Sequence, residues 1–566
     1  MPLRHRQHRV ALVPLDDRPC CTKTPRLLAQ MVDYELLLPP AEAVGHGDEP
    51  GDSDLLADWL VGVAGEVDCV ICSLDTLTCG GLPAARTPRT HAETALQRLR
   101  VLRDLQAHQP APAVFAFGTV PGLAARPDWE HGGEEWRLIH RYAELHGSKG
   151  SAEERRRLEA SIPADLLADY LGVRQRSRRL NLAAIEATQD GVVDFLLIGQ
   201  DRAAPTGLHR REQAELTAAM RKARLGSRAQ ILAGRDELGA TLLARFVHQH
   251  MESEPDVAVV YSDPGLAEAV APFDDRPLRD NVEEHVRAIG ARMVLDPDDA
   301  DVCLFVNAPS PLPLSVSGPG GSDFDARRHA LRAFVTELSG HVARDRVASV
   351  ADLGFPHGAD EALMRCMHEI KVDLTRLAGF AAHGDAGAAI GLALVHPCVR
   401  LIALRDKGAF DLAQALGDLK PLRYLELLNS LVESERAHLS FLFGRFVEDF
   451  LYQSRVRPRV AEKLAQIAAE GEVGLEAMPR LAESMVRAML GRAAGEFYIE
   501  HFLGRQAVAI GRYPDTAGLM LCELEEARVH LPGQRLAEVD LEFQFGVQIV
   551  AGAEPGEMPE PGSRVT

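Results

Sequence analysis

Four apolar runs along this chain each end on an acidic residue. They read VALVPLDD from residue 10, CVICSLD from residue 69, DFLLIGQD from residue 194 and QILAGRDE from residue 230. Aliphatic runs without polar alternation are typical of strands buried on both faces, as in a parallel sheet covered by helices. Since the carboxyl ends of such strands border the ligand crevice, these runs predict a site lined by carboxylates.

Strand-like and helix-like segments alternate over most of the first 350 residues. The nine candidate strands are residues 10–15, 35–38, 69–74, 113–117, 195–198, 230–232, 257–261, 302–306 and 347–350. Helical periodicity follows at residues 92–107, 238–250 and 281–293. This alternation predicts an α/β fold with largely parallel sheets. A (β/α)8-like barrel and paired doubly wound sheets remain equally open.

Four regions follow from the same pattern. An α/β core is predicted over residues 1–409, with a charged helical insertion at residues 129–188. A helical region at 410–503 precedes a small β element at 504–551, and the tail at 552–566 is predicted to be disordered. The Pro-, Gly- and Ser-rich segment at residues 309–322 is predicted to be a lid or linker.

Charge and cysteine content limit the partners. The formal net charge of −20 argues against nucleic acid and anionic membranes, because both select positive surfaces, so a small molecule is the expected partner. Nine scattered cysteines indicate no disulfide framework, and Cys69 and Cys72 face opposite sides of a strand, which favours packing over metal binding. We expect no secretory signal and no apolar stretch that approaches a membrane span of roughly 18 residues, which predicts a cytoplasmic protein. The oligomeric state is not indicated.

The first candidate site residues follow the first strand in PLDDRP. Asp16 and Asp17 are predicted catalytic carboxylates, and Arg18 is predicted to orient them or to bind substrate. The alternative is a structural Asp–Arg pair that caps the next helix. A second DDRP at residues 274–277 has different flanks and no accompanying periodicity, so we expect its Asp274 to be coincidental.

The segment SLDTLTCGGLPAAR supplies a second set. Asp75 is a predicted catalytic residue at the rim of a buried strand, and Arg86 is predicted to bind substrate. The paired glycines Gly80 and Gly81 allow either a close approach of the backbone to a ligand or a tight turn.

Two further strand ends add candidates. In IGQDRAAPTG, Asp201 is predicted to be catalytic and Gln200 to bind substrate. In AGRDELGATLLAR, Asp236 and Glu237 precede a helix, and the balance favours a helix cap over chemistry for both.

Histidine–aspartate pairs occur later in the chain. VADLGFPHGAD contains Asp352 and His357, and AGFAAHGDAGAAIG contains His383 and Asp385. We predict that these four residues bind substrate, since each pair stands where a strand leaves the sheet and glycines flank it.

The motifs together resemble those of domain of unknown function 4127, a bacterial family. The resemblance covers nearly the whole chain and rests on PLDDRP, SLDTLTCGGLPAAR, GQDRAAPTG, VADLGFPHGAD, AGFAAHGDAGAAIG, FVEDFLYQSRVR and LPGQRLAEVD. Three features depart from the family pattern, which implies a divergent member with a changed substrate or a lost activity. Arg202 stands in place of a second aspartate, Phe380, Ala381 and Ala382 replace Trp-Asn-Thr, and Cys79 replaces an aromatic residue. The family name supplies no activity.

The candidates support three hypotheses. The first is a hydrolase with glycosidase-type acid–base chemistry, acting on a sugar-like or polyhydroxylated small molecule. The second is an enzyme in which the same acids bind a divalent cation, and no other cofactor is expected. The third is a catalytically inactive binding or scaffold protein. With 5% aromatic residues and three Trp, an extended polysaccharide cleft is disfavoured.

Overall fold

The fold is taken from a computed structural model that describes residues 8–47, 49–123, 133–147, 151–309, 324–409, 421–470, 478–512 and 515–551. The predicted disordered tail at 552–566 lies outside these residues. The same holds for nearly all of the predicted lid at 309–322 and for the start of the predicted insertion.

The first half of the chain forms a six-stranded parallel sheet. Its strands are β1 (His8–Val13), β2 (Tyr34–Leu37), β3 (Cys69–Ser73), β4 (Ala113–Val120), β5 (Phe195–Gln200) and β6 (Ala229–Ala233). They lie in the order β2-β1-β3-β4-β5-β6, so the winding direction reverses between β1 and β3. A short antiparallel hairpin, Gly45–His46 with Glu49–Pro50, stands beside this sheet.

A second parallel sheet repeats this arrangement. Its strands are β7 (Asp256–Tyr261), β8 (Arg292–Met293), β9 (Val302–Asn307), β10 (Val347–Asp352) and β11 (Gly379–Ala381). Their order is β8-β7-β9-β10-β11, again with a reversal beside the first strand. The α/β prediction is confirmed, and of its two alternatives the structure has the paired doubly wound sheets.

Helices connect the strands of both sheets. Between residues 19 and 250 they are Pro19–Met31, Ala41–Val44, Ser53–Val63, Leu74–Cys79, Leu82–Ala85, Ala92–Arg98, Val101–Asp104, Glu134–Glu144, Ala152–Ser161, Ala164–Gln189, Leu208–Lys222 and Leu238–His250. From residue 278 they are Leu278–Ile289, Phe324–Ala330, Arg332–Ala343, Glu361–Ile370 and Ala386–Ala409. The predicted helix at 281–293 was therefore too long, since its last residues form β8, and the predicted helix at 92–107 is broken.

The C-terminal part is helical and then antiparallel, as the sequence predicted. Its helices are Pro421–Arg445, the π-helical Phe446–Val456, Arg457–Glu470 and Met478–His501. Three antiparallel strands follow, β12 (Gln506–Arg512), β13 (Asp515–His530) and β14 (Asp540–Ala551).

The helix Ala386–Ala409 lies between the two sheets. Its Ile390 belongs to one cluster of buried side chains that also contains Leu12 of β1 and Leu304 of β9. Contrary to expectation, one stretch within this helix, Ala386–Arg405, is long and apolar enough to cross a membrane. Because 94% of it is buried inside the protein, its composition is accounted for by a core position.

Candidate functional site

Acidic residues follow β3 and β5 where these strands reach the carboxyl edge of the first sheet. Asp201, after β5, accepts hydrogen bonds from Arg235 Nη1 at 2.6 Å and Arg86 Nη2 at 3.3 Å. Asp75, after β3, accepts one from Thr119 Oγ1 at 2.9 Å and lies 3.9 Å from Arg86 Nη1. Arg86 therefore bridges the two carboxyl groups.

The contacts continue from Asp201 across the same edge. Arg235 also contacts Asp236, with 3.2 Å between Nε and Oδ1. Arg18 then joins Asp236 to Asp16, at 2.5 Å from Nη2 to Asp236 Oδ1 and 2.8 Å from Nε to both oxygens of Asp16. We call the connected residues the acid–arginine chain: Asp75, Arg86, Asp201, Arg235, Asp236, Arg18 and Asp16.

The carboxyl groups of the acid–arginine chain differ in pKa. Burial raises the pKa of Asp75, and the opposing effects of Arg86 and Thr119 do not cancel it. Burial acts in the same direction on Asp201, but Arg235 and Arg86 outweigh it and the pKa of Asp201 is lowered. The acid–arginine chain thus contains a buried carboxyl group with a raised pKa, Asp75, beside two with lowered pKa values, Asp201 and Asp236.

The edge of the second sheet carries a separate acid pair. Asp352, the last residue of β10, accepts hydrogen bonds from Asn307 Nδ2 at 2.7 Å and from the backbone N–H of Asp360 at 2.6 Å. Burial and the neighbouring Asp360 carboxylate raise the pKa of Asp352 to about 7. Asp360 itself caps the helix Glu361–Ile370.

His357 and His383 pair through an isolated antiparallel bridge. Burial lowers the pKa of His383 to about 3, so its imidazole is neutral at physiological pH. Asp385 accepts the backbone N–H of Ala388 at 2.9 Å, and its pKa is raised by burial. His383 and Asp385 lie near the first sheet's edge, because Arg202, which follows β5, acts electrostatically on both.

Phe273 connects the two edges. Its ring centre lies 5.2 Å from the Arg202 guanidinium and 6.3 Å from the His357 ring. Its backbone φ of 68° is unusual for a bulky residue, and its carbonyl accepts the N–H of Ala203 at 2.7 Å. Strained backbone of this kind persists where the surroundings fix it, often at functional sites.

Asp17, Gly80 and Gly81 also lie outside the acid–arginine chain. Asp17 contacts His46 at 2.5 Å and is 35% exposed. A Cβ on Gly80 would lie 2.6 Å from the Gly51 carbonyl oxygen and one on Gly81 3.1 Å from the Val44 carbonyl oxygen, so these glycines admit neighbouring backbone.

Gln200 instead enters a polar network behind the edge. Its Oε1 accepts a hydrogen bond from Gln213 Nε2 at 2.8 Å, and the same nitrogen donates to Asp275 at 2.7 Å.

Two interpretations from sequence need correction. Asp236 does not cap the following helix: the N-cap is Glu237, which makes no side-chain cap hydrogen bond, and Asp236 pairs with Arg18 and Arg235. Asp274, which we expected to be coincidental, is buried and accepts a hydrogen bond from Asn281 at 2.9 Å. Burial, Asp385 and Asp275 raise its pKa well above the usual value.

Arg235, Thr119 and Phe273 were missed by sequence reasoning. Arg235 lies inside the quoted motif AGRDE, so its place beside a strand-end acid was a usable signal. Thr119 and Phe273 had no recognisable signal in the sequence, because their roles depend on which strands and loops become neighbours.

The strand-end acids are poorly suited to hold a divalent cation in this arrangement. Asp16, Asp201 and Asp236 already contact guanidinium groups, which compete with a cation for the same oxygens. Among the described residues, the group with three potential ligand atoms within 4.8 Å of one another is His368, Glu500 and His501, which contains none of the predicted acids.

A cavity of about 590 Å³ lies elsewhere, between the helices Pro19–Met31 and Pro421–Arg445 and strand β14. Leu27, Tyr34, Arg436 and Phe543 are among its lining residues, and no predicted site residue lines it. We place the candidate site at the strand edges and not in this cavity, because the perturbed carboxyl groups converge at the edges.

The sequence matches the family model described as "Protein of unknown function (DUF4127)" over residues 10–542. Searches among curated proteins and among solved structures found no match.

Proposed function

Because the chain belongs to the DUF4127 family, as its motifs predicted, and that description names no activity, we propose a function from the chemistry of the site. The protein is a hydrolase that cleaves a small, sugar-like or polyhydroxylated molecule at the carboxyl edge of the first sheet. Asp75 and Asp201 are its acid–base pair.

One observation carries this proposal. Arg86 bridges two buried carboxyl groups, Asp75 and Asp201, whose pKa values are shifted in opposite directions. Burial raises the pKa of Asp75, which favours its role as the proton donor, and Arg235 and Arg86 lower the pKa of Asp201, which favours its ionised form. Glycosidase-type chemistry requires two carboxyl groups whose environments push their pKa values in opposite directions, so that one donates a proton and the other accepts one.

The step follows from these roles. Asp75 donates its proton to the oxygen of the bond that breaks, and Asp201 accepts a proton from the water molecule that attacks the carbon. One water molecule is consumed, and the two carboxyl groups end with their protonation exchanged. Arg86 and Arg235 stabilise the ionised Asp201 and hold it in place.

The test is turnover of a panel of 4-nitrophenyl glycosides by the wild type and by Asp75→Asn and Asp201→Asn. Each substitution should lower kcat/KM by about 10²- to 10⁴-fold, the usual contribution of an acid–base group. The control is Asp190→Asn, since Asp190 is 52% exposed and pairs with Arg103 at the surface. Turnover that both site variants retain would exclude the assignment, and ligand-induced thermal stabilisation without any turnover would favour the binding-protein alternative.

A further inference from the structure

Arg202 differs from the other arginines at the strand edges. Arg18, Arg86 and Arg235 each contact a carboxylate, at 2.8, 3.3 and 2.6 Å. Within the described part of the chain, the Arg202 guanidinium has no hydrogen-bond or ion-pair partner, and its Nε is buried without an acceptor. A buried donor without an acceptor is costly, which indicates that something else satisfies it.

The position of this guanidinium is fixed from both sheets. The Arg202 carbonyl accepts the N–H of Leu123 at 3.2 Å, and the side chain lies over the ring of Phe273. An aromatic face holds a guanidinium by cation–π attraction while its in-plane N–H groups remain available to a ligand.

A second polar atom without a partner lies in the same region. His383 Nδ1 is buried and has no hydrogen-bond partner among the described residues. Arg202 acts electrostatically on His383 and on Asp201, so all three groups share one neighbourhood between the sheets.

We propose that Arg202 binds an oxyanion of the substrate, either a carboxylate or a phosphate, with its guanidinium fork. This rests on the proposed function and narrows it, because the sugar-like substrate then carries a negative charge, as a uronate or a sugar phosphate does. A planar guanidinium matches the two oxygens of such groups in a bidentate contact. Phe273 positions the fork, and His383 supplies one further hydrogen bond.

The test measures binding and needs no turnover. Glucose, glucuronate, glucose 6-phosphate and inorganic phosphate are titrated by calorimetry into the wild type, Arg202→Gln and Arg211→Gln. Arg211 is the matched control, because it is 80% exposed and pairs with Glu215. Circular dichroism and the thermal midpoint of each free protein establish that the variants are folded.

In the wild type we expect one anionic sugar to bind at least about tenfold more tightly than glucose, the increment of one charge-assisted bidentate contact. Arg202→Gln should abolish this preference and Arg211→Gln should keep it. Tighter binding of glucuronate than of glucose 6-phosphate would identify a carboxylate site, and the reverse would identify a phosphate site. Binding of inorganic phosphate alone would identify a site for the free ion.

Three results would overturn the proposal. Charged and neutral sugars could bind equally well, or no anionic probe could bind at about 10 mM. Arg202→Gln could also keep the preference for the anionic sugar. The outcomes separate the two proposals. An anion preference without glycoside turnover leaves the Arg202 site standing and removes the hydrolase. Turnover of neutral glycosides with no effect of Arg202→Gln does the reverse.

Discussion

Arg86 contacts both members of the proposed acid–base pair, so one guanidinium sets two proton affinities. It lowers the pKa of Asp201 and opposes the effect of burial on Asp75. The pair is therefore coupled through a residue that exchanges no proton itself.

Arg86→Gln should move the whole pH profile of kcat/KM to higher pH. Activity is lost as pH falls through the pKa of Asp201, and that pKa rises when a cation is removed. Activity is lost on the alkaline side as pH rises through the pKa of Asp75, which also rises without Arg86. The measurement is the pH dependence of kcat/KM for a hydrolysed glycoside, with Arg103→Gln as the control.

If the acidic and alkaline arms of the pH profile stay in place, or move towards lower pH, Arg86 does not set the pKa values of the two carboxyl groups. A lower kcat/KM at every pH with an unmoved profile would instead assign Arg86 to substrate binding alone.

The acids of the site could be found from sequence because each lies within three residues of the end of a strand that is buried where it ends. Asp16, Asp75 and Asp201 stand at such ends, and the strand pattern alone brings them to one edge. Asp236 was misjudged because a helix starts two residues later, and a cap and an ion-pair partner look alike in sequence. Whether these residues form an active site remains a prediction.

At the scale of elements, the main chain of the helix Ala386–Ala409 lies directly against the main chain at the end of strand β6. A Cβ on Gly387 would lie 2.4 Å from the carbonyl oxygen of Ala233 and 2.7 Å from the nitrogen of Gly234. The helix can approach the end of β6 this closely only through a glycine.

Gly387→Ala should therefore lower the free energy of unfolding by about 2 kcal/mol or more, because displacing the helix costs more than the roughly 1 kcal/mol that alanine gains in a helix. Gly491→Ala is the matched control, since a Cβ at Gly491, inside the helix Met478–His501, meets nothing within 4 Å. That variant should be stabilised by about 0.5–1 kcal/mol. Urea unfolding measures both, and equal stabilisation of the two variants would contradict the close contact.

All nine predicted strands are present, because their apolar runs are long enough to be recognised without their neighbours. Within the two parallel sheets, the strands that were not predicted are β8, with two residues, and β11, with three. Both stand at the edges of the second sheet, where so short a run has no periodicity to detect. The choice between a barrel and two sheets depends on strand order, which no local pattern encodes.

At the scale of the molecule, the two sheets share a strand order, and each has an Asp-Asp-Arg-Pro segment directly before its first crossover helix. They also share one buried cluster of side chains through the helix between them. The two doubly wound units are thus joined by a common core and not by a linker.

We expect the two sheets to unfold in a single transition. Leu12→Ala in β1 and Leu304→Ala in β9 each remove a fully buried side chain of the shared cluster and should cost about 2–5 kcal/mol. Differential scanning calorimetry should show one peak for the wild type and one shifted peak for each variant. Two peaks, of which each variant moves only one, would mean that the sheets are independent.

The ion pair between Arg18 and Glu538 joins residues 520 positions apart, with 3.1 Å between Nη1 and Oε1. Because 520 positions separate Arg18 from Glu538, a nascent chain cannot form this ion pair until the segment between β13 and β14 has been made. Non-local contacts of this kind form late. The proposed activity should consequently be absent from released fragments that stop short of the C-terminal strands, however long these fragments are.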